Sequence, residues 1–214
     1  MTVVIECADA LNRERAVTAA LAAVRRGDIV VLATESVYAV ATDAFSARGV
    51  ASIREAKGYD EDASLPIMVG SRSMVSGVAA RLTDGARLLM QAFWPGPLTL
   101  LLEPQPSLAW DLGHAPLAVR MPVHPVMLAL LEASGPLVVT AAGVVGRDEP
   151  LTAQAAMAQA GSQASVVLDS GPCQPGVRST VVDAREAPAA ILREGSLTRE
   201  QIEAVCPGVI LEQA

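Results

Sequence analysis

Aromatic residues are nearly missing from this sequence: Phe, Trp and Tyr together make up 3% of its 214 residues. Charge is scarce too, at 18%, while hydrophobic residues reach 51%. A core must therefore be built from Ala, Val and Leu, and a composition this apolar and this weakly charged excludes a disordered chain. Long apolar runs are also absent. Mean hydropathy is +0.38, yet the longest uncharged stretch, 150–168, is broken by Thr152, Gln154, Gln159, Gly161, Ser162, Gln163 and Ser165. No run supplies the roughly 20 apolar residues of a spanning helix. The first residues, MTVVIECADALNRER, lack the basic start, apolar stretch and small-residue site of a signal peptide. The expectation is a soluble, cytoplasmic protein with no membrane contact, its residues 1–214 forming one domain.

Cysteine and histidine are few. Cys7, Cys173 and Cys206 are scattered without C-x-x-C spacing, so neither a disulfide framework nor a zinc site is expected. His114 and His124 are the whole histidine complement, and no metal site is expected from them. Basic residues number 16 against 23 acidic ones, a net charge of -7, which argues against stable nucleic-acid binding. Phosphate-loop, dinucleotide, nucleophile-elbow and zinc-protease motifs are all missing.

What is present alternates between strand and helix patterns. VVIE (3–6) reads as a strand and 12–26 as a helix with Ala16, Ala20, Leu21 and Val24 on one face. IVVLAT reads as a buried strand ended by polar residues. A helix follows near 47–57, then strand LPIMV (65–69) and helices near 73–81 and 84–93. WPGPLTLLLE is a turn feeding a strand, PLAVRMP another strand, 125–133 a helix, PLVVTAA a strand and 152–160 a helix. ASVVLDSG, RSTVVDA and AAILREG read as strands before a last helix at 198–205. Strands outnumber the intervening helices after residue 95, so the expected fold class is α/β with a twisted mixed sheet and flanking helices.

Polar and cationic residues stand at strand ends: Thr34, Glu35 and Ser36 after IVVLA, Arg120 after LAV, Ser179 and Thr180 before VVD, and Arg193 after AIL. Open α/β sheets bind ligands at strand ends, and converging Arg, Lys and hydroxyl groups suit a phosphate or a carboxylate. Residues of these types also cap strands and make surface ion pairs, and spacing alone leaves both readings open.

The stretches GDIVVLATESVYAVATDAF (27–45), AKG, LPIMV, FWPGPLTLLL, LAVRMPVHP, GPLVVTAAGVVG, GVRSTVVD and ILREG occur in the order of the YrdC-like threonylcarbamoyl-AMP synthase family, which the chain resembles from about residue 12 to 205. The resemblance implies a sheet curled around a concave, positively charged cavity. It also implies condensation of L-threonine, bicarbonate and ATP, with Mg2+ on the nucleotide, to threonylcarbamoyl-AMP and pyrophosphate. Partner proteins then use that product to modify a tRNA adenosine. Carried over by position, Thr34, Arg120 and Ser179 would hold the amino acid. Lys57 would be the catalytic cation at the phosphates, and Arg193 would contact the nucleotide. The family's K-x-R reads Lys57-Gly58-Tyr59 here, and its S-x-N reads Ala141-Ala142-Gly143, so Tyr59, Ala141 and Gly143 stand at nucleotide-site positions. Met68 replaces a His, Ala63 an Asn, and Ala33, Ser36 and Ala39 replace motif Pro, Thr and Gly. Three readings follow: the family reaction, a paralogue repurposed for another amino acid or acyl-adenylate, and a non-catalytic small-molecule-binding protein.

Overall fold

Runs of β-branched and small residues set the strands, and side-chain alternation decides what each face of the sheet meets. The structure, a computed structural model, describes residues 2–61, 63–108, 110, 115–144, 146–160 and 163–211. His114 lies outside them. In chain order the elements are β1 (Val3–Glu6), α1 (Ala10–Arg25), β2 (Ile29–Ala33), β3 (Tyr38–Asp43), α2 (Ala47–Lys57), β4 (Ile67–Met68), a 3-10 turn (Arg72–Gly77), β5 (Ala79–Arg81), α3 (Asp84–Phe93), β6 (Leu98–Pro104), β7 (Leu117–Arg120), α4 (Pro125–Ser134), β8 (Leu137–Ala141), α5 (Ala153–Ala160), β9 (Ala164–Asp169), β10 (Thr180–Asp183), β11 (Ala190–Arg193), α6 (Arg199–Val205) and β12 (Ile210–Leu211).

The strands form one mixed sheet in the order β1-β9-β2-β3-β8-β4-β7-β6-β10-β11-β12, with β5 paired onto β6. The α/β class read from the sequence is the observed one. Two corrections concern local elements. Residues 73–81, read as a helix, form the 3-10 turn and β5, because Ala79 and Arg81 pair with Pro104 and Glu103 of β6. The strand Tyr38–Asp43, which the sequence reading passed over, pairs antiparallel with both β2 and β8.

Alternation divides the core in two. Ile29, Val31, Tyr38, Val40, Val138, Leu98, Leu100, Leu117 and Val119 pack on one face with Val50 and Ile53 of α2, Leu89 of α3 and Ile202 of α6. Val30, Leu32, Ala39, Ala41, Leu137, Val139, Val166 and Leu168 pack on the opposite face, against Ala16, Ala20 and Ala23 of α1 and Met127, Leu130 and Leu131 of α4. Small Ala side chains let α1 lie close to the sheet. Farther along that second face, Thr99 and Leu101 of β6, Ala118 and Arg120 of β7 and Val181 of β10 are only half-buried. There the sheet face becomes the floor of a cavity.

Candidate active site

The cavity encloses about 880 Å³. Strand register assembles its floor: Arg120 lies opposite Thr99 and beside Met68, and Thr99 lies opposite Val181. Loops complete the rim. The segment after β2 brings Thr34 and Ser36, and the segment before β10 brings Gly176, Arg178 and Ser179. A smaller chamber of about 370 Å³ shares Ser36, Arg120, Arg178, Ser179 and Arg193 and adds Glu35 and Ser196.

Arg120 is held from two sides. Its Nε donates to the carbonyl of Gly96 at 3.0 Å, in the Trp-Pro-Gly-Pro turn that leads into β6. Its terminal nitrogen is ion-paired with Glu35, whose carboxylate oxygens are buried. Burial pulls the guanidinium down to about 10, so it stays charged at neutral pH. Ser179 shares a 2.9 Å hydroxyl contact with Thr99. Arg193 donates from Nε and Nη2 to the Ser179 carbonyl at 3.3 and 3.1 Å, which ties the end of β11 to the start of β10. The Thr34 hydroxyl donates to the Val37 carbonyl at 2.7 Å and accepts from the amides of Ser36 and Val37 at 3.3 and 3.1 Å. It therefore shapes the rim turn as well as lining the cavity.

The opposite wall departs from the sequence expectation. Lys57, expected to face a nucleotide, is buried and does not line the cavity. Its Nζ donates to the Ala141 carbonyl at 2.8 Å and lies 5.6 Å from the centre of the Tyr59 ring. The cause is local. Gly58 caps α2 in a left-handed conformation, φ 65°, which reverses the chain and folds Tyr59 back over Lys57. Burial lowers the Lys57 ammonium from its ordinary value, and the Glu149 carboxylate opposes that shift. Gly143 also sits behind the wall. A Cβ built there would lie 2.8 Å from Glu149 Oε2, so the glycine makes room for the carboxylate.

Thr34, Tyr59, Arg120, Ala141, Ser179 and Arg193 thus converge on one cavity, while Lys57 and Gly143 back its wall. Sequence reasoning missed Glu149 and Arg178 as cavity residues, because a polar loop without periodicity gives no sign of where its side chains lie. Among the described residues no three His, Cys, Asp or Glu side chains gather as a metal site. No helix among them is long and apolar enough to cross a membrane.

The Sua5/YciO/YrdC family model, described as telomere recombination, matches residues 22–195. A putative threonylcarbamoyl-AMP synthase of Mycobacterium tuberculosis is 40% identical over 207 residues, covering 96% of this chain and 95% of that protein. The threonylcarbamoyl-AMP synthase of Bacillus subtilis is 35% identical over 87% of this chain and 55% of its own length. Among solved structures, P. abyssi Sua5 in complex with L-threonine superposes with a TM-score of 0.87 at 30% identity. That match covers 99% of this chain and 62% of the longer P. abyssi one. E. coli YciO shares the fold, with a TM-score of 0.78 at 20% identity over 94% of this chain and 98% of that protein.

Proposed function

Because the chain belongs to the Sua5/YciO/YrdC family, we propose that it is a nucleotidyltransferase of the threonylcarbamoyl-AMP synthase type, using L-threonine, bicarbonate and ATP. The observation that carries this reading is the convergence of Arg120, Ser179 and Arg193 on one uncovered stretch of sheet. The relatives that share most of this chain's length are named for that reaction.

Arg120 takes the amino-acid carboxylate, displacing Glu35, because a guanidinium fork matches a carboxylate and here has already lost most of its water. The Ser179 hydroxyl adds a neutral hydrogen bond beside it. The threonine amine forms a bond to the bicarbonate carbon with loss of water. A carbamate oxygen then attacks the α-phosphorus, and the bond to the β-phosphate oxygen breaks, releasing pyrophosphate. Arg193 stands at the phosphate side, where placement and charge neutralisation supply much of the rate. Mg2+ enters on the nucleotide phosphates as part of the substrate, since the described residues gather no carboxylate cluster for a resident ion.

The chain acts as one domain in the cytoplasm and passes its product to tRNA-modification proteins, with the small-molecule step needing no basic RNA surface. The test is pyrophosphate release from ATP by the purified protein, with each substrate omitted in turn. Release that requires both L-threonine and bicarbonate supports the reading, and no release with all three present overturns it. A second reading is favoured by the withdrawal of Lys57 behind Tyr59: the same carboxylate clamp serving a different amino acid. Release that is faster with another amino acid than with L-threonine would select it.

A further inference from the structure

The cavity's charge is lopsided. Three guanidiniums line it or its side chamber, Arg120, Arg178 and Arg193, against two carboxylates, Glu35 and Glu149. Glu35 is paired with Arg120. Arg178 and Arg193 stand together at the Ser179–Ser196 rim. On the opposite wall the cavity meets the Tyr59 ring and the Glu149 carboxylate, while the Lys57 ammonium on that side is buried against the Ala141 carbonyl. Two departures from the family pattern, Tyr59 and Gly143, make this arrangement together with Glu149. Tyr59 covers Lys57, Gly143 vacates the space that Glu149 fills, and Glu149 faces the cavity.

A carboxylate lining a nucleotide pocket repels phosphate oxygens and accepts hydrogen bonds from hydroxyl or amino groups, and an aromatic face accepts a planar base. Without Mg2+ a triphosphate brings about four negative charges and a monophosphate about two, so a cavity with a single surplus guanidinium opposes the triphosphate more. A mononucleotide phosphate matches the Arg178–Arg193 rim and leaves the ribose and base for the Glu149–Tyr59 wall.

We infer that Glu149, seated by Gly143, makes this cavity selective for a nucleotide at the monophosphate or acyl-adenylate level over a nucleoside triphosphate. The inference rests on the nucleotide reading given above and adds which side of that reaction the site holds more tightly: the adenylate. Glu149 acts as a specificity residue by repulsion, and it is exposed.

Calorimetric titration of the full chain with AMP and with ATP, each with and without Mg2+, tests this on the wild type and on Glu149→Gln. Without Mg2+ the wild type should bind AMP at least fivefold more tightly than ATP. Glu149→Gln should tighten ATP at least fivefold and change AMP less than twofold, narrowing the preference. Gly143→Asn, which crowds the Glu149 carboxylate, should shift the ratio in the same direction. A wild type that prefers ATP, or a Glu149→Gln ratio equal to that of the wild type, overturns the inference. If ATP is preferred and pyrophosphate release still requires L-threonine and bicarbonate, the synthase reading stands and the selectivity alone falls. If neither nucleotide binds, both fall together.

Discussion

Arg120 is matched by a carboxylate before any substrate arrives. Removing one partner of a largely buried ion pair leaves the other charge uncompensated. Glu35 therefore competes with an incoming carboxylate while it keeps the guanidinium in place. Glu35→Gln keeps the shape and removes the competing charge, so it should lower the Kd for L-threonine severalfold, measured by calorimetry. Arg120→Ala should weaken L-threonine at least tenfold and also lower stability, because Glu35 is left buried without its counter-charge. An unchanged Kd in both variants would remove Arg120 from the amino-acid site. The cavity positions of Arg120, Ser179 and Arg193 were legible in the sequence, since each ends or begins a recognisable strand. The fate of Lys57 was not: Gly58 marks the end of α2 in the sequence, but that its turn lays Tyr59 over Lys57, against a carbonyl of β8 and near a carboxylate 92 positions later in the chain, is set by tertiary packing.

Helices and strands with strong local signals were legible as elements. Helix α3 carries its own N-cap, Thr83, which accepts from the Ala86 amide, and helix α6 begins with a full capping box at Thr198 and Gln201. Strand β5 was hidden because its three residues become a strand only by pairing with β6. Strand β3 was hidden because its small residues, YAVATD, gain strand character from neighbours on both sides. Thr198→Ala should cost about 1 kcal/mol in urea unfolding by loss of the α6 cap. Gly195→Ala should cost about 1–3 kcal/mol or more, as overpacking does. Its Cβ would meet the Arg178 carbonyl oxygen at 2.2 Å and the Ser179 backbone, and neither is the end of a flexible side chain. Since that backbone carries the cavity rim, Gly195→Ala should also weaken nucleotide binding, whereas Thr198→Ala should leave it unchanged.

At the scale of the molecule, one sheet face serves two purposes along its length. Helices α1 and α4 cover it at one end, and the cavity opens at the other. The cavity's rigidity therefore depends on how firmly the two helices stay down, and their contact holds a titratable group. His124, at the start of α4, has a buried Nδ1 without a hydrogen-bond partner, and Arg13 of α1 acts on it electrostatically. Burial first, and the Arg13 charge second, lower the imidazole from its ordinary value of 6.5. A group whose folded value is depressed binds fewer protons folded than unfolded, so stability falls as pH drops below 6.5. The loss continues until pH passes the lower folded value. The slope must stay below the roughly 1.4 kcal/mol per pH unit that one whole proton sets. Asp183 extends the loss further into acid. Burial pushes its carboxyl up, but hydrogen bonds from Arg185 outweigh that and leave it below 3.8, so its contribution is present above that value and disappears beneath it. Urea unfolding at pH 7.5, 6.5 and 5.5 should show stability nearly flat over the first interval and falling over the second. His124→Asn, which cannot take the proton, should flatten the second interval while Asp183 still governs behaviour near pH 3. An equal slope in wild type and His124→Asn would show that the α1–α4 contact does not sense pH, and that acid instability arises elsewhere on the sheet.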